Sequence, residues 1–172
     1  MTTYLVTGPI GGGKSEVCRY LSSKGWPVYD CDSRTKRLYS SVPGLKSRIE
    51  KALDVPFENL SIIFEDSDRR RKLEEIVYPY LLEDLLQWKG GLQTRLAFVE
   101  SAIAMDKRQF DDTYDKVILV RADYGSRLAR NPKAAGRDAL QSFDLNKVDI
   151  IIDNNSSLRS LHVKLGKLLK RI

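Results

Sequence analysis

Residues 8–15 read Gly-Pro-Ile-Gly-Gly-Gly-Lys-Ser, a complete GxxxxGKS, and no other stretch restricts the fold of this chain as tightly. Glycine-rich backbone lets several N–H groups converge on phosphate oxygens, Lys14 adds a cation, and the Ser15 hydroxyl can ligate Mg²⁺. Such a loop works between a buried strand and a helix N-terminus, whose partial positive charge favours an anion. Tyr4-Leu5-Val6-Thr7 supplies the strand, and a helical pattern follows to about Lys24. The expected phosphate site therefore uses Gly8, Gly11, Gly12, Gly13, Lys14 and Ser15, with Glu16 directly after them. A phosphate-binding loop implies a nucleotide without saying what is done with its phosphate.

Further short apolar runs read as buried strands at Pro27 to Tyr29, Leu96 to Val99, Val117 to Val120 and Ile150 to Ile152. Helical patterns separate most of them. In the last, Leu158, Leu161, Leu165, Leu168 and Ile172 share one face, opposite Arg159, Lys164, Lys167, Lys170 and Arg171. Alternating strands and helices predict an α/β fold, a doubly wound parallel sheet of about five strands with right-handed crossovers. From Asp32 to Gly90 no buried strand is legible, only helix-like segments such as Arg69 to Trp88. Structureless connections of that length are rare, so residues 33–90, approximately, read as a helical insertion suited to a second substrate.

A chain of 172 residues has room for one domain, over residues 1–172, carrying that insertion. With 42% apolar and 30% charged residues it is neither disordered nor fibrous. No apolar run is long enough for a membrane helix, and Met1 leads straight into a strand instead of a secretory leader, so a cytoplasmic location is expected. Cys18 and Cys31, without CxxC spacing, read as reduced thiols. The net charge of +6 suggests a polyanionic partner. Nucleic acid is disfavoured, because no strand interleaves aromatic and basic residues and acids flank the basic run Arg69 to Lys72.

Three acids are candidates for chemistry. Asp30 and Asp32 lie at the carboxyl end of the second strand, where one could accept the proton of a substrate hydroxyl as it attacks a γ-phosphate. Alternatively both cap a helix beginning near Ser33. Glu100 ends the third strand and could hold Mg²⁺, or be merely its polar end. Arg127, Arg130, Lys133 and Arg137 could neutralise transferring phosphate or form a solvated face. Asn146-Lys147-Val148-Asp149 spells the NKxD of guanine-binding proteins, but the strand follows it instead of preceding it and no DxxG stands upstream. It reads as coincidence. His162, in the final helix, reads as a packing or boundary residue.

Taken together, these motifs resemble the dephospho-CoA kinase family. Val6 to Ser15 is similar to its TGxIGxGKS, and Pro27-Val28-Tyr29-Asp30-Cys31-Asp32 to its PVIDAD. Ile76 to Leu81 resembles LVHPxL, Val99 to Asp106 resembles ESAILFE, Arg137 to Gln141 resembles RxxxQ, and Val148 to Asn155 resembles ADxVIxN. The resemblance implies a P-loop kinase that phosphorylates the ribose 3′-hydroxyl of dephospho-CoA with ATP and Mg²⁺, giving coenzyme A. It puts the base at Asp32, with Lys14 also catalytic. ATP contacts fall on the loop from Gly8 to Glu16, on Arg130 and Arg137, and on Asn154, and metal contacts on Ser15 and Glu100. The insertion would hold the CoA moiety and residues 123–145, approximately, a short lid. Glu16 stands where the family usually has Thr, Tyr78 where it has His, and Asp106 where it has Glu, and the lid is abbreviated. These departures motivate a second reading, a nucleotide-binding module or sensor derived from such a kinase.

Overall fold

Apolar runs with no polar alternation fold here as strands covered on both faces, as parallel sheets require. The computed structural model describes residues 1–137 and 143–172, apart from the side chains of Phe64, Glu65, Gly136 and Arg137. Its sheet comprises β1 (Thr2–Thr7), β2 (Val28–Asp30), β3 (Leu96–Glu100), β4 (Lys116–Arg121) and β5 (Ile150–Asp153), ordered β2-β3-β1-β4-β5. Every pairing is parallel; Tyr4 of β1 registers with Phe98 on one side and Lys116 on the other. This is the expected α/β architecture. The strands also take in polar flanking residues, because the hydrogen-bond ladder recruits backbone irrespective of side chain. At the carboxyl edge those residues are Asp30, Glu100, Arg121 and Asp153.

Seven α-helices accompany the sheet among the described residues, besides several short 3-10 turns: α1 (Lys14–Ser23), α2 (Cys31–Ser41), α3 (Leu45–Leu53), α4 (Ser67–Gly90), α5 (Tyr124–Arg130), α6 (Ala134–Arg137) and α7 (Leu158–Leu169). On one face of the sheet Tyr4, Val6, Phe98, Ile118 and Val120 pack with Val17, Cys18 and Leu21 of α1 and Leu161 and Leu165 of α7. The alternate residues of the inner strands, Leu5, Val99 and Leu119 among them, are buried on the other face, whereas Ile151 of the edge strand β5 is exposed. At the amino edge Asp115 accepts from the Thr3 amide at 2.6 Å and Asp149 from the Val117 amide at 2.8 Å. The last residue of the NKxD sequence therefore anchors β4 to the start of β5, a structural role at the sheet edge opposite the loop.

The chain divides into two compact units, residues 1–30 with 93–172, and residues 31–92. The second is helical. Its stripes Leu45, Ile49, Leu53 and Leu73, Val77, Leu81, Leu85 recur every four residues and are buried. Asp66 caps α4 by accepting from the amides of Asp68 and Arg69, both at 3.0 Å. Tyr78, on the same helix, is buried, and burial first and Glu74 second push its phenol far above the ordinary value. The helix after β2 begins at Cys31, not near Ser33, so Asp32 lies in its first turn. Among the described residues no helix is long and apolar enough to cross a membrane.

Candidate active site

The loop between β1 and α1 is shaped by contacts that only glycine permits. Gly8 has φ +147°, and a Cβ there would lie 2.0 Å from the Val120 carbonyl oxygen. Gly13, which caps α1 at φ +105°, would put a Cβ 2.2 Å from Asn154 Nδ2. Side chains on Gly11 and Gly12 would strike the backbone of Arg127 and Val120. The loop is thus pressed against the ends of β4 and β5. Asn154 locks it there: its side chain is buried, Nδ2 donates to the Gly12 carbonyl at 3.0 Å, and its own amide donates to Arg121 at 2.8 Å.

Lys14 Nζ donates to the carbonyls of Gly8 at 2.7 Å and Pro9 at 3.2 Å, which holds the ammonium over the loop. Ser15 Oγ donates to Glu100 Oε1 at 2.7 Å, and Asp30 is the register partner of Glu100 across β2 and β3. The two residues expected to hold a metal are therefore brought together, although 85 positions separate them. One hydroxyl and one carboxylate are hard oxygen donors that suit Mg²⁺, an ion usually held by one or two protein oxygens plus substrate phosphates. Cys18 reports the same concentration of negative charge, since burial first, and Glu100 and Asp30 after it, push its thiol well up.

A depression of about 240 Å³ over the loop is lined by Gly11, Gly13, Lys14, Ser15, Glu16, Arg130 and Asn131. Arg130 reaches it from α5, donating to the carbonyls of Asn154 at 2.8 Å and Gly11 at 3.3 Å. Asn131 was not expected there, and no motif or periodicity marks it. Arg127 differs from the solvated or lid cation expected of it: it is 7% exposed, with Nε donating to the Ala122 carbonyl at 3.1 Å, so it braces the turn after β4. The two lie one turn apart on the same face of α5, and what separates them is what each meets there: the Ala122 carbonyl for Arg127, the loop and Asn154 carbonyls for Arg130. Arg137 closes α6, but its side chain, like all of residues 138–142 including Gln141, lies outside the described residues.

Glu16 is paired on both sides, through Oε2 with Arg19 and through Oε1 with His162 Nε2 at 3.1 Å. His162 is thus more than a packing residue. A wider groove of about 600 Å³ over α1 and α7 includes His162 and Tyr20, but the loop backbone does not line it.

Asp32 belongs to the helical unit and is exposed. Its neighbour there is Tyr39, whose phenol is pushed up by burial and then by the Asp32 charge, and whose ring meets Phe57 edge-on at 5.0 Å between centroids.

No family model matches the chain. A dephospho-CoA kinase of Porphyromonas gingivalis, however, is 33% identical over 147 residues, covering 80% of this chain and 71% of that protein. The chain belongs to the dephospho-CoA kinase family. Another dephospho-CoA kinase, of Rickettsia typhi, is 28% identical and spans 97% of this chain and 95% of its own. Among solved structures, a Thermus thermophilus protein superposes with a TM-score of 0.81 at 24% identity, covering 99% of this chain and 97% of that one. A dephospho-CoA kinase from Campylobacter jejuni gives 0.65 at 19% identity, covering 98% and 95%. Those structures share the fold, and the sequence relatives make the chain a kinase.

Proposed function

We propose that the protein transfers the γ-phosphoryl group of ATP to the ribose 3′-hydroxyl of dephospho-CoA, giving coenzyme A and ADP. Three things support this reading: membership of the dephospho-CoA kinase family, the loop geometry, and above all the 2.7 Å approach of Ser15 to Glu100 beside Lys14. The loop amides and the N-terminus of α1 cradle the phosphates, and Lys14 exchanges its carbonyl partners for β- and γ-oxygens. Ser15 and Glu100 would hold Mg²⁺, which when bound neutralises charge developing on the phosphates. Asp32 orients the acceptor hydroxyl and takes its proton as the oxygen attacks phosphorus in line with the departing ADP. Arg130, with Arg137, offsets the charge spread over the equatorial oxygens, and the segment over residues 123–145 limits water. Asn154 acts through the loop, by fixing the Gly12 carbonyl. The helical unit takes the CoA moiety. A cytoplasmic location goes with this reading.

The test is ADP release with dephospho-CoA, adenosine, pantothenate and shikimate as acceptors, with and without Mg²⁺. Selective, Mg²⁺-dependent turnover of dephospho-CoA is expected. One observation favours a second reading, since Glu16 places a carboxylate at the mouth of the phosphate depression. A nucleotide-binding module or sensor would bind ATP yet release no ADP above background with any of the four.

A further inference from the structure

A helix N-terminus that receives phosphates is an unfavourable place for another anion, because the two compete for the same amides and repel one another. Glu16 occupies that place, in the first turn of α1 and on the wall of the 240 Å³ depression. Both of its oxygens are engaged. Arg19, one turn along α1, holds Oε2, and His162, from α7, meets Oε1 at 3.1 Å. A carboxylate can only accept, so the imidazole nitrogen is the donor. The imidazole is itself seated, since the Tyr20 ring lies against it with centroids 4.7 Å apart and planes inclined at 37°. The Glu16 side chain is 23% exposed and that of Arg19 72%. The arginine alone is therefore a loose, solvent-screened restraint, whereas the histidine is anchored by a packed ring.

We propose that His162 is a positioning residue for nucleotide binding: by holding Glu16 in place through an N–H donor it keeps that carboxylate from turning toward the phosphates in the loop. The inference rests on the reading of the loop as the site for ATP, and it holds whichever acceptor is used. Its signature is a change in nucleotide affinity without a change in the chemical step. His162 touches no reacting group, and the Glu16 carboxylate acts on bound and reacting phosphates alike.

The experiment is a set of ATP titrations in the presence of Mg²⁺, with KM and kcat measured alongside, on the full chain and on four variants whose folding is checked by thermal melts. His162→Ala is expected to weaken ATP binding and raise its KM about three- to tenfold with kcat unchanged, the range for a partly exposed charge facing several phosphate charges. His162→Gln, which keeps an N–H donor, is expected to recover most of the loss. Glu16→Gln is expected to bind ATP at least as tightly as the natural chain, and His162→Ala added to it to have no further effect. An unchanged affinity in His162→Ala would overturn the proposal. So would an equal loss in the Glu16→Gln background, which would mean that the histidine acts through packing alone. Should the natural chain bind ATP and phosphorylate nothing, the titrations still decide the matter while the proposed kinase reaction fails; should it bind no ATP, both fail.

Discussion

The sheet unit and the helical unit of this protein hold their polar chemistry in opposite ways. In the sheet unit the candidate groups stand near the carboxyl ends of strands, the inner ones buried on both faces, and they are cross-tied: Ser15 to Glu100, Asn154 to Gly12, Arg130 to Gly11. In the helical unit burial runs along one stripe of each helix, and Asp32 stands exposed in a first turn, its charge felt by Tyr39. A phosphate is the same in every nucleotide, so a rigid cradle suits it. In the proposed reaction the acceptor is large and specific, and a helical surface of the kind proposed to hold it can be varied without disturbing the cradle.

The sharpest way to separate the two proposed roles is Asp32→Asn. It is expected to lower kcat by a factor of about 10² to 10⁴ while leaving ATP affinity intact, as loss of a general base does. Lys14→Ala, in the other unit, should lower turnover by about 10² to 10³ and weaken ATP binding as well. Equal effects of both variants on binding and on turnover would erase the distinction. Stability provides the next contrast. Phe98 is fully buried in β3, and Phe98→Ala should cost about 3–5 kcal/mol in urea unfolding. Ile62, 59% exposed in the helical unit, should cost no more than about 0.5 kcal/mol on change to Ala. An effect between these two, about 1–3 kcal/mol, is expected for Asn154→Ala, because the Gly12 carbonyl loses its donor in a buried setting. That variant should also raise the KM for ATP.

Acid should treat the two units alike. Asp66, capping α4, and Asp123, capping α5, are held below the usual carboxylate range chiefly by backbone amides, those of Arg69 and Ser126 respectively. Asp153 is held down chiefly by its hydrogen bond from Arg121. Folded values below unfolded ones mean that this stability is fully present above about pH 4 and is lost as pH falls through the lowered values. Urea midpoints should therefore be insensitive to these groups between pH 6 and 8 and fall below pH 4. Asp66→Asn and Asp123→Asn should each flatten that acid limb.

Much of the sheet unit was legible in the sequence because its signals are local. A short apolar run bounded by turn residues and followed by a helical pattern reads as a strand from its own neighbours. The run from Gly8 to Ser15 carries its conformation in its own glycines, which the approach of the Val120 carbonyl to Gly8 bears out. The helical character of residues 33–90 was legible for the same reason, through stripes such as Leu73 to Leu85. The start of α2 was not, because Cys31 and Asp32 carry no stop or start signal that outweighs the strand before them. Nor could spacing distinguish Arg127 from Arg130, since which of two cations on a short helix turns inward depends on what the helix packs against. The role of Asp149 was hidden for the same reason: an acid beside a strand acquires meaning only from the amide it meets, here that of Val117.

Local chemistry, then, determined the strands, the phosphate loop and the helical character of the insertion, because each depends on residues within a few positions of one another. Tertiary structure alone decided the pairings that turn these parts into a site. Ser15 meets Glu100 across 85 positions, and Glu16 meets His162 across 146. Contacts that distant leave no periodicity in the sequence; they exist because the sheet order β2-β3-β1-β4-β5 brings β3 beside the loop and the shared core packs α7 against α1.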